Sequence, residues 1–164
     1  MGLDMYLEAR KFIRKVDWQR THNLPAGAEP IKTAEYQAIL SGLPEGIDEY
    51  GDFGGASLSI TVGYWRKVNA IHNWFVDNCG GGVDNCQPIT VRQDQLIGLR
   101  ALVSEVLENH DKAQDLLPTS EGFFFGTYEY DEWYFEGLEQ TKLILDKALS
   151  LDENLFDFVY QASW

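Results

Sequence analysis

Tyr64-Trp65-Arg66-Lys67-Val68-Asn69-Ala70-Ile71-His72-Asn73-Trp74-Phe75-Val76-Asp77-Asn78 is the stretch on which the reading of this chain turns. Wound at about 3.6 residues per turn, it places Val68, Ile71 and Phe75 on one side, with Trp74 on the flank. Trp65, Asn69 and His72 then form a second line down the same helix, and Arg66, Asn69 and Asn73 a neighbouring one. A surface helix ordinarily carries long flexible charges opposite its apolar stripe. Indole, amide and imidazole groups stand there instead, and they bond directionally while losing little side-chain entropy. Between Lys32 and Arg92, Arg66 and Lys67 are the sole fixed positive charges. The stretch predicts a central helix that carries a binding surface.

Ser57-Leu58-Ser59-Ile60-Thr61-Val62 alternates apolar and polar residues and predicts a strand feeding that helix. Gly80-Gly81-Gly82 stops the helix; no Lys-Ser/Thr follows, so these glycines are not a phosphate cradle. Downstream, Thr90-Val91-Arg92-Gln93 has the form of a capping box. The helix it opens carries Leu96, Leu99, Val103, Val106, His110, Ala113 and Leu117 at 3/4 spacing, and Pro118 closes it. His110 lies on or beside that apolar line as a structural residue.

Upstream, Leu3, Met5 and Leu7 face one side of an opening strand over Gly2–Arg10, extending towards Val16, with Asp4 on its other face. Residues 17–32 hold Asn23, Pro25, Gly27 and Pro30 and read as a loop. Thr33 can cap a short helix through Leu40. A Gly-rich loop at about 41–56 follows, the segment expected to be most mobile. Towards the C-terminus, Phe123-Phe124-Phe125-Gly126-Thr127 is a short, very apolar piece that reads as a strand or a tight entry to a loop. Asp131 caps a last helix to about Ser150, with Tyr134, Leu138, Thr141, Leu145 and Ala148 along its buried face. Phe156–Gln161 alternates again and predicts a terminal strand. The expected fold is α+β: one domain over residues 1–164, about three main helices packed on a small, mostly antiparallel sheet.

Charge narrows function. The net charge is −13, and the chain is unevenly charged: residues 1–20 sum to +2 and residues 121–164 to −8. Such a field repels phosphate backbones, which argues against direct DNA or RNA binding, and attracts basic proteins. With no long apolar run and no targeting segment, the chain reads as cytoplasmic and off the membrane. Cys79 and Cys86 read as free thiols. With His72 they match no zinc module and lack a fourth ligand, so neither a metal nor a cofactor is expected.

Gly2-Leu3-Asp4-Met5-Tyr6, Tyr64-Trp65-Arg66-Lys67 with Asn69-Ala70-Ile71-His72-Asn73-Trp74-Phe75, Gly122-Phe123-Phe124-Phe125-Gly126 with Tyr130-Asp131-Glu132-Trp133-Tyr134, and Tyr160-Gln161-Ala162-Ser163-Trp164 run through the whole chain. Together they resemble a family of small uncharacterised proteins encoded by tailed bacteriophages and prophages. The resemblance implies a phage accessory protein acting in the bacterial host cytoplasm, with counter-defence as one such role. A sugar-phosphate kinase label sometimes attached to such sequences is not supported, since the chain is too short and lacks the Gly-Lys-Ser/Thr loop.

Three functions follow. Trp65, Tyr130 and Trp133 offer stacking faces, Arg66 a charge, and Asn69, His72 and Asn73 hydrogen bonds, the mixture that holds a small anionic, nucleotide-like ligand without catalysis. Alternatively, the acidic C-terminal third suits an inhibitor of a host nucleic-acid-binding or defence protein. A small hydrolase or transferase would need His72 as acid or base, oriented by Asp4, Asp131 or Glu132. No catalytic motif accompanies that histidine, so no catalytic residue is assigned.

Overall fold

The computed structural model describes residues 2–44, 46, 54–120 and 128–164. Their contacts divide into two compact units, Met1–Arg10 with Ser59–Trp164, and Lys11–Leu58. The class is α+β, with helices and a four-stranded antiparallel sheet among the described residues. The strands are β1 (Asp4–Arg14), β2 (Gly55–Arg66), β3 (Ile89–Val91) and β4 (Asp157–Ser163), in the order β2-β1-β4-β3. The helices are α1 (Trp18–Thr21), α2 (Ala34–Leu40), α3 (Asn69–Asn78), α4 (Gln93–Glu108), α5 (Ala113–Leu116) and α6 (Glu132–Leu149). Three of them, α3, α4 and α6, are the long ones, as the apolar spacing predicts.

In the larger unit β4 is the hub. It pairs antiparallel with β1 in a register that sets Leu7 opposite Tyr160, and with β3 so that Ile89 also faces Tyr160. Period-two alternation sends Leu3, Met5, Leu7, Ala9, Phe158, Tyr160 and Ala162 to one face, where they are buried. Against that face lie Ile71 and Phe75 of α3, Leu96, Leu99, Val103 and Val106 of α4, and Leu138, Ile144, Leu145 and Ala148 of α6. Tyr6 and Gln161 point to the other, exposed face. Asp131 caps α6 as its sequence implies, its carboxylate accepting from the Tyr134 amide at 3.1 Å.

The expected central helix divides in two. Tyr64, Trp65 and Arg66 belong to the end of β2, and helical structure begins only at Asn69. Burial alternates at this end of the strand, with Gly63 and Trp65 buried and Tyr64 and Arg66 exposed, whereas residues 57–61 are all exposed, Leu58 and Ile60 included. The Lys67 amide still donates to the Leu3 carbonyl at 2.8 Å, and Lys67 itself takes φ 60°, a left-handed turn that ends the strand. Sheet pairing outweighs the helical pattern.

Two more boundaries move. Thr90 is not a cap, because pairing with β4 buries Ile89 and Val91 as β3. The cap shifts two residues on, where the Gln95 side chain accepts from the Arg92 amide at 2.9 Å and α4 starts at Gln93. Nor does that helix run unbroken to Leu117. The Asn109 side chain accepts from the Asp111 amide at 3.1 Å, an Asx turn that competes with the helix, and a 3-10 turn over His110–Lys112 leads into α5. Leu96 through Leu117 still keep their apolar line, but His110 is exposed and its ring stacks on Phe135, centroids 3.7 Å apart.

In the Lys11–Leu58 unit, Thr33 caps α2 as expected, accepting from the Tyr36 amide, and Tyr36, Ile13 and Val16 are buried. Residues 17–32 are not wholly loop, since Trp18–Thr21 form α1 behind an Asp17 cap. Half of the Gly-rich 41–56 loop and the whole Phe123–Thr127 segment lie outside the described residues, and Gly55 and Ala56 already belong to β2.

Candidate functional site

Because Trp65 and Arg66 stand on β2 and Asn69, His72 and Asn73 on α3, the expected line of Trp65, Asn69 and His72 along one helix does not form. Trp65 is fully buried; its indole N–H donates to Thr141 Oγ1 at 2.9 Å, and its ring meets Phe75 edge-on. It anchors the core. Asn69 and His72 are buried as well, and Asn73 is half-buried. Arg66 is exposed, its guanidinium 3.9 Å from Asp4, while Asp4 accepts from the Tyr64 hydroxyl at 2.5 Å. Tyr130 is half-buried against Tyr134, whereas Trp133 on α6 is 76% exposed. The structure gathers Trp65, Asn69 and His72 as core and leaves Arg66 and Trp133 on surfaces of different elements.

His72 has carboxylate company, but not from the expected residues. Asp4 is taken by Tyr64 and Arg66, and Asp131 by the α6 cap. Instead His72 Nε2 lies 3.1 Å from Asp84, and Nδ1 lies 2.8 Å from the Tyr160 hydroxyl. With Asp84 ionised, Nε2 carries the proton and donates, and Nδ1 accepts from the phenol. Burial, reinforced by the Asp84 charge, pushes the Tyr160 phenol well above its ordinary range, so it stays a donor. The second Asp84 oxygen accepts from the Trp164 indole at 3.2 Å, and the Gln161 amide donates to the Cys86 carbonyl. This chain of bonds ties the segment after α3 to β4. It resembles an acid–base relay in sequence of groups, yet Tyr160 is fully buried and stacked on Phe75 at 4.1 Å, so no substrate reaches the phenol. No sequence spacing points to Asp84, because only the fold brings it, His72 and Trp164 together.

Other chemistry is sparse. Among the described residues no three His, Cys, Asp or Glu side chains are placed to share a metal ion. Cys79 and Cys86 are free and half-buried, and burial raises the Cys79 thiol to about 11, which suppresses the nucleophilic thiolate at neutral pH. In the Lys11–Leu58 unit an open depression has Trp18, Gln19, Thr21 and His22 among its lining, with no carboxylate, lysine or arginine among those four. No described helix is long and apolar enough to cross a membrane.

The outer side of α6 is different. Tyr134, Leu138, Thr141, Leu145 and Ala148 turn inward, which leaves Glu132, Trp133, Glu136, Glu139, Gln140, Leu143, Asp146 and Lys147 exposed. Asp146 pairs with Arg100 of α4; among the described residues Glu132, Glu136 and Glu139 meet no cation at ion-pair distance. Trp133 and Leu143, 76% and 63% exposed, are the two most exposed large apolar side chains among the described residues. No family model, characterised protein or solved structure matches the chain.

Proposed function

We propose that this chain is a non-enzymatic phage accessory protein that binds a basic protein of the bacterial host, as an acidic inhibitor does. The observation that carries this reading is the outer side of α6, four exposed carboxylates against the exposed Lys147 and the half-buried Lys142, three of the carboxylates without an ion-pair partner among the described residues. Unpaired carboxylates on a rigid helix, in a chain of net charge −13, attract and orient a basic surface at long range. The phage resemblance sets the host cytoplasm as the place of encounter, and nucleic-acid-binding or defence proteins as the basic surfaces met there. A nucleotide-like ligand has less support, because Trp65, Asn69 and His72 are occupied as core. Catalysis by His72 has less still, with both ring nitrogens engaged.

The test is binding to a panel of purified basic nucleic-acid-binding proteins at low and high salt. Affinity should fall steeply as salt shortens the screening length to roughly 10 Å or less. No binding to any of them at low salt, or binding indifferent to salt, would remove the reading. Melting-shift screening of nucleotides on the same protein tests the alternative, since a ligand whose effect depends on Arg66 would restore it.

A further inference from the structure

Resting on that acidic-surface reading, we infer that the outer face of α6 is a docking site for a basic amphipathic helix, held at two apolar anchors, Trp133 and Leu143. The two side chains are ten residues apart on one helix, about 15 Å along its axis. Trp133 keeps 76% and Leu143 63% of their surface in water, on a helix whose inner face is already filled by Tyr134, Leu138, Thr141, Leu145 and Ala148. Neither belongs to the buried core cluster or packs against it. Glu132, Glu136 and Glu139, the Arg100-paired Asp146, and Lys142 and Lys147 lie around them, giving apolar anchors inside a charged, net acidic rim, the anatomy of a protein-binding patch.

Three features select the occupant. The backbone groups of α6 are bonded within the helix, so a partner cannot add to it as a strand and must read side chains. A convex helix accepts another helix by ridges and grooves, with apolar side chains spaced to meet both anchors. The surrounding charge is net negative, four carboxylates to two lysines on α6, which favours lysine or arginine beside those side chains and disfavours a second copy of this chain at net charge −13.

The probe is a synthetic lysine-rich peptide that forms an amphipathic helix with leucines about 15 Å apart, compared with the same composition scrambled to abolish the amphipathic face. Binding is read by calorimetry and by the part of the tryptophan emission change that is lost in Trp133→Ala, since the chain holds five tryptophans. The amphipathic peptide should bind more tightly than the scrambled one, blue-shift the emission, and lose about tenfold in affinity on Trp133→Ala or Leu143→Ala. Both variants remove exposed side chains, so unchanged melting confirms that they fold. Glu136→Gln with Glu139→Gln should weaken binding and flatten its salt dependence. Equal binding of the two peptides, or binding untouched by both alanine variants, overturns the docking site while leaving the acidic-surface reading intact. Failure of every basic peptide at low salt removes both. Concentration-dependent self-association abolished by Leu143→Ala would make a second copy the occupant and overturn the inference.

Discussion

Trp65 makes the consequences of position plain at the scale of one residue. An indole that its helical spacing marks as a stacking surface is instead a core anchor, because its N–H finds Thr141 Oγ1 at 2.9 Å inside the molecule. Thr141 in turn donates to the Gly137 carbonyl at 2.6 Å. Thr141→Val keeps the shape and removes the acceptor, so it should cost about 1–3 kcal/mol, the penalty for a buried donor left unmade. Urea denaturation measures this; a loss near zero would mean the indole N–H has another acceptor. Cys79 gives a pH dependence of definite sign. Burial lifts its thiol from 9.0 to about 11, so as pH rises the unfolded chain releases its proton first. Stability therefore falls between about pH 9 and 11. The urea midpoint of wild type should drop more steeply across that window than that of Cys79→Ala.

Elements are held by a few specific contacts. A Cβ added at Gly63 of β2 would overlap Ile144 of α6, so the helix lies directly on the strand there. Gly63→Ala should cost about 1–3 kcal/mol through overpacking. Ile144→Ala creates the missing room, so the same glycine change should cost less in that background. Additive losses in thermal or urea denaturation would show that the two sites do not touch. The start of α6 rests on Asp131, and Asp131→Ala should remove about 0.5–2 kcal/mol, the usual worth of such a cap. A melting temperature unmoved by that change would mean the Tyr134 amide is satisfied by water.

Charge acts on the whole molecule. At −13, with Glu132, Glu136 and Glu139 lacking an ion-pair partner among the described residues, the folded chain gathers repulsion that the expanded chain relieves. Raising salt from ~0.01 M to ~0.1 M shortens the screening length from about 30 to about 10 Å, and the melting temperature should rise with it. A fall would mean that favourable pairs such as Arg100 with Asp146 outweigh the repulsion. The same salt series weakens any basic partner, so stability and binding should move in opposite directions.

By itself the amino-acid sequence determined the α+β class, the opening and closing strands, and the buried faces of α4 and α6, because those are local periodicities that every neighbour repeats. It determined the caps at Thr33 and Asp131, where one side chain and one amide three residues on suffice. Tertiary structure alone decided where β2 gives way to α3, since the helical pattern of residues 64–78 is locally valid and loses only to β2's place in the sheet beside β1. It likewise decided that Thr90 is strand, because Ile89 and Val91 are buried against β4. The candidate site divides the same way. Glu132, Trp133, Glu136, Glu139, Leu143 and Asp146 were all legible as residues of the last helix, but that Trp133 and Leu143 are left in water depends on what the rest of the chain covers. His72, Asp84, Tyr160 and Trp164 meet across as many as 88 residues, a distance over which no spacing rule acts and only the packed fold can bring groups together.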